Sequence, residues 1–233
     1  MERALAGVGP MKVVPHDSHV ESEIGRGFGR LSFKNELASM RARLVIESGD
    51  WKQMAGQGSF DNIDELFALG LSSVRLGDLA RADAAVDHLA TSAKTIPDRD
   101  AREVAEIMSA ELGGVLHVAR GDRAGGLVAL ARAAARESTR SRPIARPYPI
   151  KPAGELYAET LLASGDSRAA MQQFQAALAR TPKRAASLIG LARAAEAAGV
   201  RQEAVRAART FLTIWHAADP GRPELAEAQA LLK

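Results

Sequence analysis

The sequence predicts an all-α fold in which helix–turn–helix pairs stack into a solenoid that ends in a C-terminal capping helix. A glycine followed by the start of a helix recurs at Gly77-Asp78, Gly121-Asp122, Gly165-Asp166 and Gly199-Val200. The last two glycines are 34 residues apart, the period of a helix–turn–helix repeat, and the earlier intervals are 44 residues each. The composition is 46% hydrophobic but only 4% aromatic, so the core must consist mostly of Ala, Leu, Val and Ile, which suits closely packed helices.

The charge and composition exclude several classes of protein. The 233 residues carry a formal net charge of +3, with basic and acidic residues interspersed, so we expect no nucleic-acid partner. The absence of cysteine excludes disulfides and thiolate chemistry. No run of about 18 apolar residues is present, so we expect no membrane span. The N-terminal residues lack the apolar core of a signal peptide, which makes the cytoplasm the default location; the periplasm stays open if a leader is missing.

The N-terminal half is predicted to contain a flexible start, one helix and two helical pairs. Residues 1–29 are rich in Gly, His and charge and show no helical period. A helical pattern begins near Leu31 and ends at Gly49, and the Gly-rich segment that follows favours a short helix or a loop. The two pairs are predicted at about 62–76 with 78–95, ended by Pro97, and at about 101–119 with 122–137. Asp78 and Asp122 are the expected N-caps of the second helices.

The C-terminal half is predicted to begin with a linker and to continue with two further pairs. Residues 139–152 contain four prolines and cannot continue a helix, so they are read as an extended linker. The pairs are predicted at about 153–164 with 167–180 and 184–198 with 201–217, and a last helix at about 223–232 starts at Pro223. The predicted organisation is therefore a flexible segment 1–29, divergent helical pairs over 30–138, the linker 139–152, and regular pairs with the capping helix over 153–233.

Aligning the pairs on their turn glycines places small residues where the two helices of a pair should cross. In the third pair a large residue follows four positions later on the same face, which fills the gap to the next repeat, and a proline ends the pair. The fourth pair keeps the small residues, but its aromatic is shifted along the helix, and the first two pairs lack the aromatics. The predicted repeat-packing residues are Tyr157, Ala170, Phe174, Ala177, Pro182, Ala204 and Phe211.

This pattern resembles the tetratricopeptide repeat (TPR), most closely in ASGDSRAAMQQFQAALARTP. The segment PIKPAGELYAETLLASGDSRAAMQQFQAALARTPKRAASLIGLARAAEAAG resembles the C-terminal part of a family of uncharacterised bacterial TPR proteins, and MRARLVIESGDW resembles an upstream part of it. The resemblance covers about residues 37–233. It implies a helical-repeat fold, protein interaction and no known catalytic residues. It also implies that further repeats precede this region, so the N-terminus looks like a truncated or rearranged start. An irregular α-bundle with the same helices is the alternative.

No catalytic or metal-binding constellation stands out, so we expect a protein that is not an enzyme and has no metal or other cofactor. His16, Asp17 and His19 are close together, but in a segment read as a polar tail. His117 is expected to be a buried, hydrogen-bonded core residue, and Trp215 is expected to pack against the last helix. Gly25 to Gly29 follow no strand, so a phosphate cradle is not expected, and no G-x-S-x-G, H-E-x-x-H or Walker sequence occurs. The interpretation favoured for the basic run is a solvated linker rather than a phosphate-binding surface; its members are Arg132, Arg136, Arg140, Arg142, Arg146 and Lys151.

The surface predicted to bind a partner is the concave face, which the first helix of each pair lines in a TPR stack. Its charged members are mostly acidic, which favours a basic or mixed-charge peptide segment; the alternative is that these charges only keep the face solvated. The residues predicted to contact a partner protein or peptide are Glu111, Glu155, Glu159, Arg193 and Glu196. The function expected is a non-catalytic protein–protein interaction scaffold. The alternative is a structural or accessory subunit docked in a larger assembly, since an open repeat end exposes apolar surface that a partner must cover.

Overall fold

The computed structural model of the chain describes residues 33–54, 60–141, 148–219 and 221–233. Within these ranges the regular structure is entirely helical, without a strand. Residues 38–233 form one compact unit; of the other unit, residues 1–37, only 33–37 are described. The helices are α1 (Phe33–Ser48), a 3₁₀ helix (Trp51–Met54), α2 (Ile63–Leu76), α3 (Leu79–Thr95), α4 (Arg99–Ala119), α5 (Arg123–Ser138), α6 (Ala153–Ala163), α7 (Ser167–Arg180), α8 (Ala185–Ala197), α9 (Arg201–Ile214) and α10 (Pro223–Ala230).

The helices pack in chain order, as a helical solenoid requires, which confirms the predicted fold class. Each helix from α2 to α10 packs against the next one along the chain. The first helices of the pairs also contact each other, α2 with α4, α4 with α6 and α6 with α8, so these four lie side by side in an inner layer. The second helices, α3, α5, α7 and α9, form the outer layer. We call the surface of the inner layer that faces away from the outer layer the inner face.

Four turns of one geometry connect the two helices of each pair. The turn glycines have φ between 74° and 93°, the left-handed region that favours glycine. Each turn ends the first helix with a Schellman motif, in which the amide after the glycine donates to a carbonyl five residues earlier. Asp78 N donates to Ser73 O at 2.9 Å, and Val200 N to Ala195 O at 2.8 Å. The aspartates at 78, 122 and 166 then cap the second helices, which confirms the caps predicted at Asp78 and Asp122, whereas Val200 has no capping side chain.

Small residues let the two helices of a pair approach closely. The clearest crossing is that of α4 and α5, where a Cβ on Gly114 would lie 2.7 Å from Leu130 Cγ and 3.1 Å from the carbonyl oxygen of Gly126. The equivalent positions in the other pairs are also buried. They are Gly70 with Ala82, Ala158 with Ala170, and Ala192 with Ala204.

The predicted repeat-packing residues lie in and around the core, with one exception. Phe174 is fully buried and its ring lies against the backbone of Gly190, where a Cβ would be only 2.4 Å from the ring. Tyr157 is half-buried and contacts both large apolar clusters of the unit. Pro182 is exposed just after α7. The remaining four, Ala170, Ala177, Ala204 and Phe211, are buried.

The end of the segment predicted as a solvated linker is instead part of the core, so that prediction is wrong for residues 149–152. Pro149, Ile150, Lys151 and Pro152 are all buried, and Ile150 belongs to the larger apolar cluster. The physical reason is that these residues lead directly into α6, which begins at Ala153 between packed helices. The prolines prevent a helix here but do not prevent burial. The predicted division into 30–138, 139–152 and 153–233 has no separate test in the structure and stays a prediction.

The capping helix α10 packs against α8 and α9. Ala228 is fully buried, and Trp215 packs on the same apolar cluster with its ring 4.7 Å from that of Phe211. Arg193 of α8 donates two hydrogen bonds, of 2.7 and 2.6 Å, to the carboxylate of Glu227 in α10. These contacts cover the end of the stack.

Candidate functional site

The inner face carries a buried ionic cluster centred on Glu155, in the first turn of α6. Glu155 has no exposed surface. Lys151 Nζ lies 3.0 Å from its Oε1, and Arg184 donates to both of its oxygens at 2.7 and 2.9 Å. The hydroxyl of Ser187 donates to Oε2. The cluster therefore connects α6 both to Lys151, at the end of the segment predicted as a linker, and to the start of α8.

The charges in this cluster keep Glu155 ionised. Burial by itself would raise the pKa of Glu155, but Lys151, Arg184 and their hydrogen bonds outweigh it and hold that pKa at about 2. Burial would lower the pKa of Lys151, yet the carboxylates of Glu155 and Glu159 raise it. The pKa of Arg184 is raised for the same reason, by Glu155 and Glu47. Since Lys151, Glu155 and Arg184 are charged and each has an oppositely charged partner, the cluster is suited to fixing helices in place.

Two partly exposed side chains extend the cluster across the inner face. Glu159 accepts from Lys151 at 2.5 Å and lies 3.6 Å from Arg75, which belongs to α2. Arg184 reaches Glu47 of α1 at 2.8 Å. One chain of ion pairs thus connects α2, α6, α8 and α1.

A second group of buried carboxyls lies beneath this cluster. Glu111 of α4 is completely buried, and none of the described residues donates a hydrogen bond to either of its oxygens. Burial, reinforced by the nearby carboxylates of Glu137 and Glu155, raises the pKa of Glu111 well above its usual value. Burial also raises the pKa of Glu137, although the amide of Gly154 donates to that carboxylate at 3.2 Å. The protonated form of Glu111 is therefore favoured over the ionised form more strongly in the folded chain than in an exposed glutamate.

The five residues predicted to contact a partner are in three different situations. Glu111 and Glu155 have no exposed surface, so a partner cannot touch them in this structure. Glu159 is partly exposed on the inner face. Arg193 is engaged by Glu227 of α10, and Glu196 lies 3.2 Å from Arg201 at the α8–α9 turn. Only Glu159 lies in the open part of the inner face described next.

The part of the inner face between α2, α4 and α6 is open. It is a groove of about 330 Å³, which we call the inner groove. Its floor is apolar, with Val74 and Val118, and Arg75 and Glu159 bring opposite charges to it. The lining residues are Leu71, Val74, Arg75, Val115, Val118, Ala119, Glu159, Thr160, Ala163 and Ser164.

The neighbouring part of the inner face is covered by α1. Val45 and Ile46 of α1 are buried in the larger apolar cluster, together with Leu66 of α2 and Leu156 of α6. Arg41 pairs with Glu65 of α2 at 2.8 Å. The sequence predicts α1 as a helix but gives no sign of this position.

The outer layer has a cleft of its own. It has a volume of about 620 Å³ and lies between α5 and α7, with walls of small residues such as Ala134 and Ala176 and with Glu137 and Arg180 among its polar members. Arg180 donates to the carbonyl oxygens of Ser138 and Arg140, so it holds the end of α5 against α7.

The prediction that His117 is a buried core residue is wrong. Its side chain is 59% exposed, and Nδ1 lies 3.0 Å from Asp122 Oδ2. The reason is that His117 occupies the last turn of α4, where the carboxylate that caps α5 attracts the ring outward. Hydrogen bonds from the amide of Gly125 and from His117 lower the pKa of Asp122.

Of the four described members of the basic run, Arg136, Arg140 and Lys151 form ion pairs, whereas Arg132 is exposed. Arg136 and Arg140 both contact Glu103 of α4, and Arg136 also reaches Glu106. Lys151 is buried in the ionic cluster. Arg142 and Arg146 lie outside the described residues, as do His16, Asp17, His19 and the glycines 25–29.

The described residues contain no group of three or more His, Asp or Glu side chains placed to hold a metal ion. Within the same residues, no helix is long and apolar enough to cross a bilayer.

Comparison of the chain with protein-family models, with curated proteins and with solved structures finds no match. The fold and the geometry of the inner face are therefore the basis for the function proposed below.

Proposed function

We propose that this protein is a non-catalytic protein–protein interaction scaffold that binds an extended or helical segment of another protein on its inner face. We further propose that its helical pairs are of the bacterial TPR type. The 34-residue interval from Gly165 to Gly199 and the contact of Phe174 with Gly190 support that assignment.

The inner groove is the observation that carries the proposal. Its apolar floor is flanked by one positive and one negative side chain, Arg75 and Glu159, and solenoids use such extended inner surfaces for binding. An apolar floor contributes affinity by excluding water, and the opposite charges orient a segment that carries both signs. A mixed-charge segment with apolar side chains on one side fits this surface.

A single substitution in the groove tests the proposal. Ala119 is exposed at the end of α4 and lines the groove, whereas Ala84 is exposed on α3 in the outer layer. Ala119→Arg places a large cation in the groove, and Ala84→Arg adds the same charge elsewhere. Tagged wild-type and variant proteins would be used to capture partners from the source organism, with quantification by mass spectrometry.

We expect a partner that the wild type and Ala84→Arg capture equally and that Ala119→Arg captures at least tenfold less. Partners that all three proteins capture equally, or no partner at all, would contradict the proposal. Circular dichroism and thermal unfolding of both variants would verify that they fold alike.

One observation favours the second candidate function, a subunit docked in a larger assembly. Met40 and Leu44 lie one turn apart on α1 and are 54% and 58% exposed, a small apolar patch on the side of α1 that faces away from the core. Light scattering on the purified protein and on the complex isolated from cells would separate the two functions. A stable complex of fixed composition that dissociates with Met40→Lys plus Leu44→Lys would favour the subunit.

A further inference from the structure

The helix α1 has the pattern of a segment bound in a groove. Its residues Ala38, Ala42, Val45 and Ile46 are buried, whereas Met40 and Leu44 are exposed. The buried residues have the spacing i, i+4, i+7 and i+8, so they form one stripe along a helix. Helices that bind in grooves present their anchors with this spacing.

The position of α1 does not follow the order of the stack. Near its middle, Arg41 pairs with Glu65 at the start of α2. At its end, Glu47 pairs with Arg184 at the start of α8. Because α2 and α8 are the first and last members of the inner layer, α1 lies across that layer and covers the inner face beside the open groove.

The contacts that hold α1 are modest. The stripe consists of two alanines, one valine and one isoleucine, which bury little apolar surface compared with the leucines and phenylalanines of the core. Each ion pair has one exposed member, Arg41 at 60% and Glu47 at 38%, so water screens part of the attraction to the buried partners Glu65 and Arg184. A covalently attached segment can nevertheless remain bound, because its effective concentration is on the order of millimolar.

We propose that α1 is a built-in occupant of the inner face and that the partner presents an amphipathic helix of the same chemistry, which displaces α1. The partner helix has small residues at two successive stripe positions, β-branched residues at the next two, and a carboxylate directly after them that pairs with Arg184. This inference rests on the proposed scaffold function and specifies its partner. In this proposal α1 is an intramolecular competitor that lowers the apparent affinity of the inner face for other helices.

The test uses the full chain with a protease recognition sequence inserted between Met54 and Phe60, and a fluorescent peptide of residues 38–54 as the probe. Binding is measured by fluorescence anisotropy before and after cleavage. In the uncut protein α1 competes from the same chain, so the peptide should bind weakly. After cleavage the competitor can diffuse away, and the apparent affinity should rise at least tenfold.

Two neighbouring peptide substitutions provide matched controls that leave the protein unchanged. Val45 is buried and Leu44 is exposed in α1. We therefore expect a Val45→Lys peptide to lose binding by at least tenfold and a Leu44→Lys peptide to bind as well as the unmodified one. A Glu47→Arg peptide should also bind more weakly, since it would place a cation against Arg184.

Three outcomes would overturn the inference. The peptide could bind cut and uncut protein equally, the Leu44→Lys and Val45→Lys peptides could behave alike, or the cut protein could lose its helical circular dichroism when the N-terminal fragment leaves. The last result would make α1 an integral part of the core. If the peptide test fails while Ala119→Arg still abolishes partner capture, only the inference about α1 falls. If the peptide binds as expected but no partner depends on Ala119, the scaffold proposal falls, and with it the claim that a partner helix displaces α1; only the displaceable position of α1 then stands.

Discussion

The contact between Phe174 and Gly190 gives the sharpest prediction about stability. The ring of Phe174 is fully buried, and a Cβ at position 190 would lie 2.4 Å from two of its carbons. Normal carbon–carbon contacts are about 3.5–4.0 Å, so Gly190→Ala would force the ring or α8 to move by about 1 Å. The interior is close-packed and offers little room for that movement.

Two opposing effects determine the magnitude. Overpacking of this kind costs about 1–3 kcal/mol, whereas Gly→Ala inside a helix gains about 0.5–1 kcal/mol. We therefore expect Gly190→Ala to lower the free energy of unfolding by about 0–2.5 kcal/mol, with the middle of that range near 1 kcal/mol. For a chain of this size each kcal/mol corresponds to about 2–4 °C in Tm.

Gly113→Ala is the matched control, because Gly113 also lies inside a helix and a Cβ there would meet nothing within 4 Å. This substitution should raise the free energy of unfolding by about 0.5–1 kcal/mol. The assay is urea unfolding followed by circular dichroism, with Phe174→Leu added to Gly190→Ala as the rescue. If Gly190→Ala were as stable as Gly113→Ala, the close contact between α7 and α8 would be refuted.

Two further substitutions and one deletion test other parts of the structure. Val200→Asp supplies the missing cap at a turn that has the same geometry as the one capped by Asp166. It should therefore raise the free energy of unfolding by about 0.5–2 kcal/mol. An unchanged midpoint of urea unfolding would contradict this prediction. Because the raised pKa of Glu111 makes the folded chain bind a proton that the unfolded chain releases above pH about 4.5, stability should fall as the pH rises beyond that value. Glu111→Gln should remove this loss, so the stability of the variant relative to the wild type in urea unfolding should be greater at pH 8 than at pH 4. An equal difference at both pH values would contradict a raised pKa of Glu111 in the folded chain. Deleting residues 221–233 should lower Tm and increase binding of an apolar dye, and an unchanged Tm would show that α10 does not cap the stack.

The helices and turns could be predicted because their signals are local. A glycine at the end of a helix followed by aspartate specifies both the left-handed residue and the next N-cap, as at Gly77-Asp78 and Gly165-Asp166. The observed helix ends accordingly lie within a few residues of the predicted ones. Small residues at the crossings were also visible in the sequence, because their position relative to the turn glycine is fixed.

The ionic cluster could be predicted only in part. Lys151, Glu155 and Glu159 follow each other at intervals of four residues, a spacing that puts them on one side of a helix and could have indicated their pairing. Arg184 is far from Glu155 in sequence, and the two meet only because α6 and α8 lie side by side. For the same reason no local pattern showed that Glu155 is buried rather than available to a partner.

The position of α1 could not be predicted, since it depends on contacts with helices distant in sequence. The buried stripe of α1 can be recognised in the sequence as one face of a helix. The surface on which that face packs is formed by several helices of the inner layer together, so it cannot be recognised there.

The prediction for His117 was wrong for the opposite reason. The general pattern of the repeat predicts an inward residue, and a single side-chain contact with Asp122 overrides it.

Hydrogen–deuterium exchange of the full chain, with and without an excess of the Leu44→Lys peptide of residues 38–54, tests most directly whether α1 is a displaceable occupant of the inner face. The substitution gives the added peptide a mass different from that of the chain's own α1, so the two can be followed separately. We predict that amides over residues 42–48 exchange faster when the peptide is bound, while those of the outer helix α7 are unchanged. Binding of the peptide without any change in the exchange of α1 would contradict the account.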